Sequence, residues 1–176
     1  MISVMFVDIR GFTSMAEQLN PAEVAVQLNR FYEIATRAIF RFDGTLDKLV
    51  GDQVMAFFGA PIDRNDHPQR AVETAREIMG EVMAMGGADR LGIGIGISTG
   101  EAFVGNVGGS EVTDYTVLGD TVNVAARLES AAAPGEILIA QETYGQVENE
   151  FPKAIRRELD LKGKSEKVIA WRIAGD

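Results

Sequence analysis

The amino-acid sequence predicts an α+β fold, a ferredoxin-like split βαβ (βαββαβ) core followed by a C-terminal αβ extension. Short apolar runs alternate with segments of helical periodicity in the order β-α-β-β-α-β, which is the element order of that core. A Gly-Asp pair joins two adjacent apolar runs and predicts a hairpin in the middle of this order. A length of 176 residues favours one domain, so we expect a single domain over residues 1–176.

Local patterns support the first half of the core. The segment ISVMFVDI at residues 2–9 is nearly continuous in apolar residues and rich in β-branched ones, which is typical of a central strand. Asn20 and Pro21 mark the start of a long helix, because proline is favoured at the first helical position. Residues 44–61 contain two strands around Gly51-Asp52, and glycine at the first turn position favours a type II′ hairpin.

The second half of the core is a helix and a glycine-rich strand. We expect Asp66 to cap the helix, and we place His67, the single histidine, at the surface beside it. In residues 91–99, apolar residues alternate with glycine, which predicts that another backbone or packed element approaches the bare face of this strand. The rest of the chain predicts a hairpin (102–117), a helix capped by Asp120, a strand (136–140) with Glu136 in solvent, a helix (141–148) and terminal strands.

Composition excludes several classes of function. The net charge is −9, from 17 Lys and Arg against 26 Asp and Glu, whereas a general nucleic-acid-binding surface would be basic. No apolar run approaches the roughly 20 residues of a membrane span, so we expect no membrane contact by this domain itself. The chain has no cysteine, which excludes disulfides, thiolate metal sites and cysteine nucleophiles.

Two aspartates are expected to meet at one edge of the sheet. In a split βαβ unit the end of the first strand lies beside the turn that joins the second and third strands. Asp8 occupies the first place and Asp52 the second. Paired carboxylates repel each other unless they are protonated, solvated or bridged by cations, and Mg²⁺ commonly takes one or two carboxylates plus phosphates. The alternative of two unrelated surface carboxylates stays open at this point.

Four segments of the sequence resemble the motifs of a known family. FVDIRGFTSMAE, KLVGDQVMAFFGAP, YTVLGDTVNVAARLE and LKGKSEKVIAW occur in this order. Together they resemble the class III nucleotidyl cyclase catalytic domain, of the bacterial adenylyl cyclase type, and the resemblance extends from Val4 to Trp171. It implies conversion of a nucleoside triphosphate to its 3′,5′-cyclic monophosphate and pyrophosphate, with in-line attack of the ribose 3′-oxygen on the α-phosphorus.

The resemblance also implies two divalent metal ions, Mg²⁺ or Mn²⁺, as cofactors. Asp8 and Asp52 match the family's two metal-binding aspartates, and the carbonyl of Ile9 matches its backbone ligand. Asn123 and Arg127 match the catalytic pair, in which Asn orients the ribose and Arg stabilises charge at the α-phosphate.

Further positions match substrate contacts. Lys48 corresponds to the lysine that contacts the adenine N1 edge in cyclases that use ATP, and Thr116 to the residue paired with the exocyclic amino group. Because lysine only donates hydrogen bonds, it suits adenine N1 and not guanine N1–H. Lys162 matches the lysine that binds the triphosphate, and the backbones of Phe12 and Thr13 are expected beside the same group. The resemblance therefore predicts an adenylyl cyclase.

In this family, active sites form between two catalytic domains arranged head to tail, with the metal-binding aspartates on one chain and the other site residues on its partner. The chain has both sets, which implies a homodimer with two equivalent sites. A guanylyl cyclase, or a catalytically silent nucleotide-binding signalling module, remains the alternative. A diguanylate cyclase does not fit, since the Gly-Gly-Asp/Glu-Glu-Phe turn is missing. We expect the domain to be part of a longer sensor-containing protein, in the cytoplasm or at the cytoplasmic face of a membrane.

Overall fold

A computed structural model describes residues 1–86, 91–160 and 167–173. The strands are β1 (Ile2–Ile9), β2 (Thr45–Val50), β3 (Gln53–Phe58), β4 (Ile93–Gly100), β5 (Phe103–Gly108), β6 (Thr113–Leu118), β7 (Glu136–Ala140), β8 (Ile155–Leu159) and β9 (Val168–Ile173). The helices are α1 (Phe12–Ala16), α2 (Pro21–Arg41), α3 (His67–Ala84), α4 (Asp120–Ala131) and α5 (Gln141–Val147). None of these helices is both long and apolar enough to cross a membrane.

The sheet confirms the predicted α+β fold. Seven strands lie in the order β2-β3-β1-β4-β7-β9-β8, and β5 pairs with β6 in a separate ribbon. β1 is antiparallel to both β3 and β4, while β3 is antiparallel to β2. β2 therefore runs parallel to β1 with β3 between them, as a split βαβ core requires. β7, β8 and β9 extend the sheet beyond β4 and form the C-terminal extension.

The predicted start of α2 and the hairpin before β3 are both confirmed. The Asn20 side chain accepts from the N–H groups of Ala22 and Glu23, and the Glu23 carboxylate accepts from the Asn20 N–H, which is a complete capping box. Gly51 has a φ of 60°, and Asp52 is not among the described non-glycine residues with positive φ. Positive φ at the first turn position alone is the geometry of a type II′ turn.

The two faces of β1 pack against different layers. Met5, Val7 and Ile9 belong to the large core beneath α2 and α3, whereas Val4 and Phe6 pack on the opposite face beneath α4. Because side chains alternate along a strand, Asp8 and Arg10 belong to the α4 face.

The bare glycine face of β4 is where α4 lies. A Cβ at Gly96 would overlap the backbone of Ala125 and Glu129, and a Cβ at Gly94 would overlap the Arg10 guanidinium. The close approach predicted from the alternating glycines is therefore confirmed. It brings α4 against β1 and β4, at the end of the sheet where Asp8 lies.

Two expected helix caps differ in the structure. Asp66 occupies the cap position of α3, yet its side chain makes no cap hydrogen bond and pairs instead with Arg70 at 2.9 Å, one turn along the helix. Asp120 is the first residue of α4, and Gly119, with a φ of 152°, takes the cap position. Glycine can adopt this backbone conformation without a steric cost, so the chain turns into the helix one residue earlier than expected.

Two side chains expected in solvent are buried. His67 lies in the core side of α3, where its Nδ1 is 2.8 Å from the Ser3 hydroxyl. Glu136 accepts a hydrogen bond from the Ala133 N–H and pairs with Arg157. Both predictions were wrong because a polar group can be buried once a partner satisfies it, and Ser3 and Arg157 come from other strands of the sheet.

Candidate functional site

Asp8 and Asp52 come together as the topology predicts. In the β1–β3 ladder Asp8 is paired with Gln53, the residue after Asp52. The hydroxyl of Tyr32 on α2 donates to the carbonyl of Gly51 and supports the turn from outside. The turn thus holds the Asp52 carboxylate beside the end of β1, close enough for a side-chain hydrogen bond to Asp8.

This arrangement opposes ionisation of Asp8. The pKa of Asp8 is raised to about 7, first by burial and then by the charges of Asp52 and Glu129, while Arg10 acts in the opposite direction. A carboxyl group with such neighbours is stabilised as an anion when a cation is added. No group of three or more His, Cys, Asp or Glu side chains in the described ranges is arranged for a metal ion. Two carboxylates with the Ile9 carbonyl fit Mg²⁺, which takes one or two carboxylates and completes its shell with water and phosphate.

A partly buried ion-pair network joins Asp8 to α4. Arg10 Nη1 lies 3.0 Å from Asp8 Oδ2, and its Nη2 lies 2.6 Å from Glu129 Oε1 and donates to the Glu129 carbonyl. Gln53 Nε2 donates to Glu129 Oε2 at 3.0 Å. We name Asp8, Arg10, Asp52, Gln53 and Glu129 the carboxylate cluster.

Sequence reasoning missed Arg10, Gln53 and Glu129. Glu129 is only 2% exposed, and burial raises the pKa of its carboxyl while Arg10 lowers it. The available signal was the bare face at Gly94, which leaves room for the Arg10 guanidinium. Which side chain enters that space depends on the distance between β4 and α4, which the sequence pattern does not contain.

Asn123 and Arg127 lie on the outer face of α4. The helix buries Ala125 and Glu129 against the sheet. Asn123 and Arg127 each stand two positions from these residues, roughly 200° around the helix axis. No side-chain hydrogen bond or ion pair joins either one to another residue within the described ranges. The two predicted catalytic side chains therefore project away from the Asp8 carboxylate of their own chain.

Lys48 and Thr116 meet in a second polar group, which we name the lysine cluster: Asp47, Lys48, Asp114 and Thr116. Lys48 Nζ lies 2.8 Å from Asp114 Oδ2 and 3.0 Å from Asp47 Oδ1. The Thr116 hydroxyl donates to Asp47 Oδ2 at 2.7 Å. Hydrogen bonds to Asp114 and Asp47 raise the pKa of Lys48, so its side chain is held as a cation. Asp47 and Asp114 were not predicted from the sequence.

The remaining predicted substrate residues are only partly placed. Phe12 and Thr13 are the first two residues of α1, where backbone N–H groups have no acceptor within the helix. Phe12 packs against the core and Thr13 is exposed. Lys162 lies outside the described residues. The contacts of these residues with a triphosphate stay predictions.

Comparison with known proteins agrees with this architecture. Residues 1–175 match the adenylate and guanylate cyclase catalytic domain family. The chain is 36% identical over 134 residues to Adenylate cyclase 1 of Rhizobium meliloti, covering 73% of this chain and 20% of that protein.

Solved structures give the same result. The chain is similar to the crystal structure of the adenylyl cyclase CyaB from P. aeruginosa, with a TM-score of 0.89, 34% identity, and coverage of 99% of this chain and 94% of that one. It is similar to the guanylyl cyclase Cya2 at a TM-score of 0.88, 33% identity, and 99% and 91% coverage. An adenylyl and a guanylyl cyclase are thus about equally similar to it, so overall similarity does not distinguish ATP from GTP.

Proposed function

Because this chain belongs to the adenylate and guanylate cyclase catalytic domain family, we propose that it converts ATP to 3′,5′-cyclic AMP and pyrophosphate. The observation that carries the choice of ATP is Lys48, held as a cation by Asp47 and Asp114 in the lysine cluster. An ammonium group has three donors and no acceptor, so it can bond the lone pair of adenine N1 but is repelled by the N1–H of guanine.

The carboxylate cluster is proposed to hold two Mg²⁺ or Mn²⁺ ions through Asp8, Asp52 and the Ile9 carbonyl. When bound, such ions favour the 3′-alkoxide and neutralise the phosphates. The chain's own part is to present the carboxylates in one place and to keep water out of the buried side of Asp8. The high pKa of Asp8 supports this role, since the site gains most from an added cation.

Asn123 and Arg127 are proposed to act at the transition state. Asn123 orients the ribose by hydrogen bonding, and the planar Arg127 guanidinium donates to the oxygens around the α-phosphorus as charge builds there. Neither side chain is bound to another described part of its own chain, which leaves their donors available for a substrate.

A complete site is proposed to need a second copy of the chain. Asn123 and Arg127 project from the face of α4 opposite to the one that contacts the carboxylate cluster. One copy would therefore supply Asp8 and Asp52, and its head-to-tail partner would supply Asn123 and Arg127, in a two-fold homodimer with two equivalent sites.

The substrate is tested by incubating the purified protein with ATP or GTP and Mn²⁺ or Mg²⁺, and by measuring cyclic nucleotide and pyrophosphate. We expect more cyclic AMP from ATP than cyclic GMP from GTP. The rate per subunit should rise with protein concentration until all chains are dimeric. More cyclic GMP from GTP than cyclic AMP from ATP would make the protein a guanylyl cyclase. Nucleotide binding without either product would identify a silent signalling module.

The shared site is tested by mixing two inactive variants. Asp52→Asn and Arg127→Ala each damage both sites of their own homodimer, but a mixed dimer contains one site with neither substitution. We expect activity to return on mixing, at up to a quarter of the wild-type rate, since about half of randomly formed dimers are mixed and each has one of two sites intact. Mixed dimers that form, as shown by two affinity tags, yet stay inactive would exclude a site divided between the chains.

A further inference from the structure

A β-bulge places Asp47 at the centre of the lysine cluster. The β2–β3 register pairs Leu46 with Ala56 and Lys48 with Met55, so Asp47 is an extra residue in β2. Neighbouring residues of a regular strand point to opposite faces, whereas a bulge redirects one of them. Here Asp47 and Lys48 reach the same group of side chains, and Asp47 bonds the residue that follows it.

Asp47 determines the direction of the Thr116 hydroxyl. The Asp47 side chain is fully buried, and its Oδ2 accepts the single hydroxyl proton of Thr116 at 2.7 Å. A hydroxyl has one donor and two lone pairs, so this bond leaves Thr116 Oγ1 as an acceptor toward any further group. An acceptor can bond the amino group at position 6 of adenine and is repelled by the carbonyl oxygen at position 6 of guanine.

Lys48 donates one of its three protons to Asp114 and forms an ion pair with Asp47. Asp47 Oδ1 and Asp114 Oδ2 lie 3.0 Å and 2.8 Å from Lys48 Nζ. Since an ammonium group has three donors, Lys48 keeps a proton for an acceptor such as adenine N1. The Asp114 side chain is 58% exposed and bonds Lys48, whereas the Thr116 hydroxyl donates to Asp47, so the two aspartates differ in what they orient.

We propose that Asp47 is a specificity-determining positioning residue, which turns the Thr116 hydroxyl into an obligate acceptor for the 6-amino group of the substrate base. The proposal rests on the proposed use of ATP. Asp47 itself does not contact the base, because its carboxylate is occupied by Thr116 and Lys48. Asp47 thus lies outside the Lys48–Thr116 pair, yet it fixes Thr116 as the hydrogen-bond acceptor beside the donor Lys48.

The test compares ATP with purine riboside 5′-triphosphate, which lacks only the 6-amino group and keeps N1 as an acceptor. The ratio of their kcat/KM values, and of their Kd values, therefore reports the contact with Thr116 and not the contact with Lys48. For the wild-type protein we expect a preference for ATP of about 2- to 13-fold, the factor for one net hydrogen bond.

Asp47→Leu is the main variant, because leucine fills a similar volume without an acceptor. In this variant, a Thr116 hydroxyl that accepts from the amino group would have no acceptor for its own buried proton. We therefore expect the ratio of ATP to purine riboside triphosphate to fall to within about twofold of the ratio in Thr116→Val. A variant that combines Asp47→Leu with Thr116→Val should show no further fall in this ratio. Asp114→Asn is the matched control: it should weaken ATP and purine riboside triphosphate alike and keep the wild-type ratio.

Four results would overturn the proposal: a wild-type ratio of one, an unchanged ratio in Thr116→Val, an unchanged ratio in folded Asp47→Leu, or an Asp114→Asn variant that loses the ratio as Asp47→Leu does. If Asp47→Leu does not fold, the wild-type protein decides by NMR. The Thr116 hydroxyl proton should then exchange slowly and couple to the Asp47 carboxyl carbon, and a freely exchanging proton overturns the proposal. Absence of cyclic AMP with an intact Kd ratio would refute the proposed activity but not the role of Asp47.

Discussion

The carboxylate cluster and the lysine cluster treat charge in opposite ways. In the carboxylate cluster, burial and the neighbouring carboxylates oppose the ionisation of Asp8 and raise its pKa to about 7. In the lysine cluster, two carboxylates hydrogen bond to Lys48 and raise its pKa, which favours its charged form. The first cluster gains from an added cation, whereas the second satisfies its own cation and leaves defined donors and acceptors.

This difference indicates two kinds of recognition. A metal ion or a phosphate is recognised by net charge, so a site for it can contain unbalanced charge before the ligand binds. A neutral base is recognised by the direction of its hydrogen bonds, so a site for it must fix which atom donates and which accepts. Asp8 and Asp47 are both aspartates near a strand end or bulge, yet their neighbours suit them to different tasks.

The largest expected effect comes from removing charge in the carboxylate cluster. Asp52→Asn should lower turnover by at least about 100-fold, since a catalytic metal ion contributes several kcal/mol to the stabilisation of the transition state. The preference for binding ATP over GTP should stay within about twofold of the wild-type value, because the lysine cluster is untouched. Turnover and Kd measurements check both parts, with the exposed Asp63→Asn as control. A turnover within tenfold of the wild-type value would show that Asp52 does not bind the catalytic metal ions.

A smaller effect is expected from the glycine face that holds α4 beside the carboxylate cluster. Gly96→Ala places a Cβ against the α4 backbone at Ala125 and Glu129, so the free energy of unfolding should fall by about 1–3 kcal/mol, as in overpacked cores. Gly80→Ala in α3 meets no atom within 4 Å and should raise it by up to about 1 kcal/mol, through helix propensity alone. Urea unfolding monitored by circular dichroism measures both. Equal effects of the two substitutions would contradict the close contact between α4 and β4.

The smallest effect is the pH dependence of stability without metal. The folded protein keeps a proton on Asp8 up to about pH 7, whereas the unfolded chain releases it near the ordinary value of 3.8. The unfolded chain therefore binds fewer protons in this range, and stability should fall as the pH rises from 4 to 7. Lys48 does not change the pH dependence in this range, since its pKa is raised from 10.5 and it is charged in both the folded and the unfolded chain.

Asp52→Asn isolates this contribution. Buried His67 has a lowered pKa and acts in the opposite direction near pH 6, but it is the same in both proteins. In chelator, the melting temperature of the wild type should fall from pH 5 to pH 8 by a few °C more than that of Asp52→Asn. Adding Mn²⁺ at pH 8 should restore the melting temperature of the wild type only. Parallel curves for the two proteins would show that Asp52 does not act on Asp8.

Much of the fold and part of the site could be predicted from local patterns. The capping box at Asn20, the type II′ turn at Gly51 and the meeting of Asp8 with the Gly51–Asp52 turn all follow from short segments plus a simple topology rule. The helical spacing of Asn123 and Arg127 is likewise a property of consecutive residues. These predictions succeeded because the information they need lies within a few residues or within one supersecondary motif.

The wrong burial predictions and the missed site residues have a different cause. His67 and Glu136 have polar side chains, so the sequence favoured solvent, but Ser3 and Arg157 satisfy them inside the fold. The partners of Arg10 and of Asp47 are likewise 119 and 69 residues away. A hydrogen bond between distant segments depends on sheet register and helix position, which no local pattern encodes.

The sequence alone determined the order of elements, the convergence of two carboxylates at a strand edge and the resemblance to the cyclase family. Only the tertiary structure decided what surrounds those residues: that Arg10 and Glu129 connect Asp8 to α4, that Asn123 and Arg127 project away from it, and that a bulge brings Asp47 to Thr116. The physical reason is that burial, charge and hydrogen-bond direction are set by neighbours in space, and these properties decide what a side chain can do chemically.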